Sequence, residues 1–256
     1  MPPLRIISRL DIKGPNVVKG VHLEGLRVVG QPGVMARDYY EQGIDEIIYM
    51  DIVASLYGRN NLLSVVREAA RHIFVPLTVG GGLRTIDDIV EALRSGADKV
   101  AINTAATIRP AFIREAVNTF GSQCIVVSVE AKRWPDGRSG WEALTDNGRE
   151  RTGRDAVAWA EEAEQLGAGE LLVTSVDREG TQKGFDLDLL TQIHDRVRIP
   201  VIASGGCGGA AHAAEVAKRH CADAVACAHI FQYGICSVSK LKAALGHCGV
   251  EVRPCV

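Results

Sequence analysis

The 256-residue chain has few aromatics, five Phe, five Tyr and three Trp, which make up 5% of it against 46% hydrophobic residues overall. Its core must therefore be built from Val, Ile, Leu and Ala, the composition of an α/β protein. It also lacks an excess of either charge: 29 Lys and Arg against 31 Asp and Glu give a formal net charge of −2. Neither nucleic acid nor an anionic membrane is drawn to such a surface, so any phosphate binding must come from local clusters. No apolar run reaches the roughly 18 residues of a membrane span. Met1-Pro2-Pro3 leads into an apolar strand without the basic and apolar segments of a secretory signal, and a cytoplasmic chain is expected. None of the seven cysteines stands in a CxxC pair, so the usual zinc and redox spacings are missing. No metal or cofactor is indicated. Most of the thiols are expected as small core residues, with Cys255 exposed near the polar terminus.

What is present is alternation. Eight short apolar runs, at 6–11, 46–51, 75–79, 99–102, 125–130, 170–175, 200–203 and 224–228, read as strands. Helix-length amphipathic segments fall between them, near 33–42, 61–72, 86–95, 110–119, 154–166, 187–195, 210–220 and 239–246. Eight strand-helix units favour one closed (β/α)8 TIM barrel over residues 1–256 rather than an open sheet with two unprotected edges. The halves repeat: Asp11 answers to Glu130, Gly80-Gly81-Gly82 to Ser204-Gly205-Gly206, and Gly96-Ala97-Asp98 to Cys221-Ala222-Asp223. The offset grows only from 119 (11 to 130) to 125 (96 to 221), as expected of a half-barrel duplication with a small insertion.

The first and fifth strands each end on an acid, Asp11 and Glu130, at the barrel end where (β/α)8 enzymes hold their chemistry. Two carboxylates whose surroundings push their pKa values apart form an acid/base pair; the plainer alternative is that each pairs with a nearby Lys such as Lys13, Lys19 or Lys132. The segments that follow, 13–32 and 132–153, are too long for plain connections. The first, glycine-rich, reads as a mobile lid, and the second carries a hairpin-turn signal at Trp134-Pro135-Asp136-Gly137. The glycine clusters at Gly81-Gly82 and Ser204-Gly205-Gly206 lie between strand and helix, where backbone N–H groups bind phosphate. Asn103-Thr104 and Ala228-His229 complete them, so a ligand with a phosphate at each end would span the barrel mouth. Asp51, Thr174, Ser175, Asp177, Glu179 and Thr181 could hold the ligand's polar groups, or only cap helices and turns, and His22 in the lid could touch it. At the opposite strand ends Arg5, Glu46, Lys99 and Glu170 alternate in sign. They read as a salt-bridged plug or as a gate around a pore.

Leu10-Asp11-Ile12-Lys13, Val18-Lys19-Gly20, Thr78-Val79-Gly80-Gly81-Gly82, Ile102-Asn103-Thr104-Ala105-Ala106, Thr174-Ser175-Val176-Asp177-Arg178, Gly180-Thr181 and Ile202-Ala203-Ser204-Gly205-Gly206 resemble the cyclase subunit of imidazole glycerol phosphate synthase along essentially the whole chain. The resemblance implies a histidine-biosynthesis enzyme. With ammonia from a glutaminase partner it would cleave and cyclise a ribulosyl-formimino carboxamide nucleotide bearing two phosphates. It places the base and acid on Asp11 and position 130, the flexible first loop around Lys19, ligand contacts at Glu179 and Gly180, and an ammonia gate at Arg5, Glu46, Lys99 and Glu170. The chain departs from the family pattern in four places: Glu130 and Glu179 where Asp is usual, His229 where a small Ser is expected, and Arg9 in place of a small residue. The departures leave open a paralogue that channels ammonia to another acceptor, such as a surface sugar, or a non-catalytic glutaminase scaffold.

Overall fold

A computed structural model describes residues 2–53 and 62–255. In chain order the strands are β1 Arg5–Lys13, β2 Asn16–Val21, β3 Glu24–Gly30, β4 Glu46–Asp51, β5 Leu77–Gly80 and β6 Lys99–Ile102. They continue with β7 Ile125–Arg133, β8 Trp141–Thr145, β9 Glu150–Asp155, β10 Glu170–Ser175, β11 Val201–Ser204 and β12 Ala224–Cys227. Eight of these close a parallel ring, β1-β4-β5-β6-β7-β10-β11-β12, with β12 pairing back onto β1. These are the eight expected runs, shifted by at most two residues except where β1 and β7 run on past their acids. Strands β1 and β7 stand opposite each other, four steps apart either way.

The ring forms because its strands carry apolar residues on both faces, as strands covered by helices outside and packed inside must. Ile6, Leu10 and Ile12 of β1 join the outer core against the helices, while Ile7 joins Ile48, Val126, Leu172 and Ile202 in an inner cluster. Burying each such side chain contributes roughly 1.5–3 kcal/mol. The helices are α1 Pro32–Glu41, α2 Leu63–Ala69, α3 Ile86–Arg94, α4 Thr104–Ile108, α5 Ala111–Phe120 and α6 Ala156–Gln165. After them come α7 Leu187–His194, α8 Ala210–Arg219, α9 His229–Gln232 and α10 Val238–His247. Residue 61, the first of the expected second helix, lies outside the described residues. Thr85 and Asp88 form a capping box on α3, and Asp155, Asp186 and Ser237 cap α6, α7 and α10 with their side chains. Each such cap stabilises by about 1 kcal/mol. Among the described residues no helix is long and apolar enough to cross a membrane.

Segment 13–32, expected as a mobile lid, forms a hairpin. Strand β1 turns at Gly14 and pairs antiparallel with β2, and β2 pairs with β3. Val17, Val18, Val28 and Val29 supply the β-branched residues that favour strands. The hairpin tip docks on the loop after β10, where His22 donates its backbone N–H to the Glu179 carbonyl at 2.9 Å and His22 Nδ1 bonds the Val176 carbonyl at 2.8 Å. The other long segment becomes the β7-β8-β9 meander, with Arg133 opposite Trp141 across the turn carrying Pro135-Asp136-Gly137. Each half of the barrel thus opens with a strand that runs into a hairpin, as the internal repeat requires. Cys207, Cys221 and Cys227 are buried free thiols, and Cys248 joins Cys255 at the surface.

Candidate active site

Alternation along β1 turns Arg5, Ile7, Arg9 and Asp11 to the barrel interior, and on β7 the same rule turns in Ser128 and Glu130. At the lower end Arg5 reaches Glu46 at 2.7 Å and Glu170 at 2.6 Å, while Lys99 reaches Glu46 at 3.1 Å and Glu170 at 2.9 Å. The four side chains close a square in which every charge has two partners of opposite sign. Burial opposes ionisation there, but Glu170 and Glu46 raise Arg5 and Lys99 above their ordinary values, and Arg5 and Lys99 hold Glu46 below its own.

At the upper end the two acids sit in different surroundings. Asp11 is 3% exposed; its Oδ1 accepts from Arg9 Nε at 2.9 Å and its Oδ2 lies 3.6 Å from Lys19 Nζ. Burial alone would raise its carboxyl; Arg9, then Lys19, outweigh burial and hold it below the ordinary range. Lys19 comes from β2 and also grips Glu179, so the hairpin is clasped over Asp11. Glu130 is as deeply buried but has no cation in direct contact among the described residues. Its Oε2 accepts from the Gly148 N–H at 2.7 Å and from Asn103 Nδ2 at 3.0 Å. Burial dominates and pushes its carboxyl up to about 7.

Glu130 lines a cavity of about 340 Å3 together with Asp51, Gly81, Gly82, Asn103 and Thr104, which brings the expected first phosphate cradle together. Gly81 has φ +96, and a Cβ there would lie 2.1 Å from the Asp51 carbonyl oxygen, so glycine is required. The second cradle is also assembled, with Glu179, Gly180, Ser204, Gly205, Gly206, Ala228 and His229 around one cavity, but that cavity measures only about 10 Å3. Thr174 lies just below and accepts from Arg9 Nη1 at 2.9 Å. Asp11 and Lys19 line neither space: the clasped hairpin keeps them beneath it. Asp177, Thr181 and His22 lie outside both cradles, on a separate cavity of about 410 Å3 with Arg133 and Arg178. There Asp177 accepts from the Arg133 N–H at 2.8 Å, and Thr181 donates to the Arg178 carbonyl at 2.7 Å. Ser175 donates to Asp186 at 3.4 Å. His229, half-buried, is lowered in pKa by burial and by Lys19, which disfavours its charged form in the second cradle.

Sequence reasoning left Arg9 out of the site. It is 2% exposed and bonds Asp11, Thr174 and Ser204. Strand alternation carried the signal, since a residue two before an inward acid must also point inward.

The family model for the histidine biosynthesis protein family matches residues 5–237. The imidazole glycerol phosphate synthase subunit HisF of Legionella pneumophila is 62% identical over 208 residues, covering 81% of this chain and 97% of that protein. The subunit of the same name from Methanopyrus kandleri is 46% identical over 267 aligned positions, 98% of each chain. An eight-stranded ring with this internal repeat, matched over nearly its whole length at such identity, belongs to the histidine biosynthesis protein family, among the HisF subunits of imidazole glycerol phosphate synthase.

Proposed function

We propose that this barrel closes the imidazole ring of imidazole glycerol phosphate, acting on a ribulosyl-formimino carboxamide nucleotide that carries a phosphate at each end and releasing aminoimidazole carboxamide ribotide. The cyclase activity of a HisF subunit follows from the relatives; the assignment of roles to residues is our reading. One observation carries it: two buried carboxylates at the ends of opposite strands have their proton affinities driven apart, Asp11 down by Arg9 and Lys19 and Glu130 up to about 7 by burial. Adding ammonia to a carbonyl needs a proton delivered to oxygen and one taken from nitrogen. Glu130, protonated near neutrality, is the donor. Asp11, ionised, is the acceptor, and it is freed for the task when Lys19 leaves it while keeping its pairing with Glu179. Gly81, Gly82, Asn103 and Thr104 hold one phosphate through backbone and side-chain donors, and Gly205, Gly206 and Ala228 hold the other.

The word subunit in the relatives' name implies a partner. We take that partner to be a glutaminase docked on the lower face, with Arg5, Glu46, Lys99 and Glu170 as the closed gate through which its ammonia passes. Turnover of the bisphosphate nucleotide with an ammonium salt and no partner is the direct test. Imidazole glycerol phosphate should form, and none formed by a chain that melts cooperatively would overturn the assignment.

A further inference from the structure

We propose that Arg9 recognises the anion in the second cradle, reaching it from below through Nη2. The inference rests on the two-phosphate reading above and adds to it a residue from inside the barrel rather than from its loops. Three of the guanidinium donors are spent, Nε on Asp11 at 2.9 Å and Nη1 on Thr174 at 2.9 Å and Ser204 at 3.3 Å. Nη2 is buried with no acceptor among the described residues, and Arg9 forms part of the cradle wall beside Ser204, Gly205 and Gly206. A buried guanidinium nitrogen left without an acceptor is costly, and an anion in the cradle removes the cost.

The rest of the wall also offers donors. Ser204 Oγ accepts from Arg9, which leaves its own O–H free to donate. Gln182 Nε2 donates to His229 Nε2 at 2.9 Å, so a neutral His229 carries its proton on Nδ1, a second buried nitrogen with no partner among the described residues. Among the described residues Glu179 is the one carboxylate on this wall, and Lys19 neutralises it. The guanidinium keeps its charge at any working pH, so it meets the phosphate as a cation whatever the protonation of His229.

As it stands the cradle is roofed. Its space of about 10 Å3 accommodates about one water, whereas the related first cradle opens onto about 340 Å3. The roof is the His229–Gln182 contact, with the His229 ring against Tyr233 at a centroid distance of 4.4 Å. Gln182 and Tyr233 are exposed and His229 is partly so, so the roof can swing outward without disturbing the core. Entry of the anion thus exchanges one side-chain contact for a charge-assisted bond to Arg9.

Titrating inorganic phosphate into the 15N-labelled full chain tests this. The amides of Gly205 and Gly206 and the Arg9 side-chain signals should shift with one saturation curve, and those of Gly82 and Thr104 with another. Arg9→Met should weaken the first curve by on the order of tenfold or more and leave the second unchanged. An unchanged second-cradle affinity in Arg9→Met, or saturation at Gly205 and Gly206 with a silent Arg9, overturns the inference while sparing the two-phosphate reading. Absence of phosphate from both cradles sinks both. If Arg9→Met does not melt cooperatively, the Arg9 signals of the wild-type chain decide alone.

Discussion

Replacing Glu130 by Gln should change how stability depends on pH more than it changes stability itself. The Glu130 carboxyl is raised from 4.5 to about 7 by burial, so the folded chain binds its proton more tightly than the unfolded chain does. The resulting stabilisation is fully present below about pH 4.5 and is lost as pH rises through about 7. A difference of about 2.5 in pKa corresponds to roughly 3 kcal/mol, and about 2 kcal/mol of it falls between pH 5.5 and pH 8.5. Gln cannot ionise, yet its Oε1 can still accept from Gly148 and Asn103 as Glu130 Oε2 does at 2.7 and 3.0 Å. Its amide then stands where the carboxylic O–H would be. Urea unfolding at pH 5.5, 7 and 8.5 at fixed ionic strength should therefore show the variant gaining about 2 kcal/mol on the wild type across that range. Turnover should fall by at least about a hundredfold in the variant, and in the wild type by about tenfold per pH unit above 7. Parallel stability curves for the two proteins would refute the raised proton affinity and, with it, the assignment of Glu130 as the acid.

Asp11→Asn should abolish ammonium-dependent turnover and cost about 3 kcal/mol, because Arg9 loses the carboxylate that offsets its burial. Turnover and urea unfolding on the same preparation check both, and a fully active variant would remove Asp11 as the base. Lys19→Met should release the hairpin clasp, which amide exchange would read as faster exchange in β2 and β3 with β10 and β11 unchanged; equal protection would mean that the backbone contacts at His22 suffice. Arg5→Met leaves Glu46 and Glu170 sharing Lys99 alone, so unfolding should become easier by about 3–5 kcal/mol, and a neutral result would show the lower square to be solvated.

The barrel was legible because its strands and helices announce themselves locally. Runs such as Ile6-Ile7 and Ile125-Val126-Val127 are apolar on both faces, which suits only a strand covered inside and out. The hairpin was not legible as ordered structure. Its glycines suggest freedom, and what fixes it is a contact distant in sequence: a Cβ on Gly180 would lie 2.5 Å from the Gly20 carbonyl oxygen, so the glycine at 180 lets the two backbones touch. The acids and both glycine clusters could be read from their places at strand ends, but the inequality of the two halves could not. Besides Lys19, it lies in one pair of residues. By the offset of 119 that relates Asp11 to Glu130, Arg9 answers to Ser128; Ser128 lines the open cavity and Arg9 the closed one. A small side chain two residues before Glu130 leaves room for a ligand and brings no charge within reach of the acid, so burial raises its proton affinity. The guanidinium two residues before Asp11 fills the equivalent space and holds that acid ionised. A duplicated half-barrel supplies two nearly equivalent carboxylates, and this difference in the layer beneath them, with Lys19 of the hairpin on the Asp11 side, drives their proton affinities apart in the direction that the proposed donor and acceptor require.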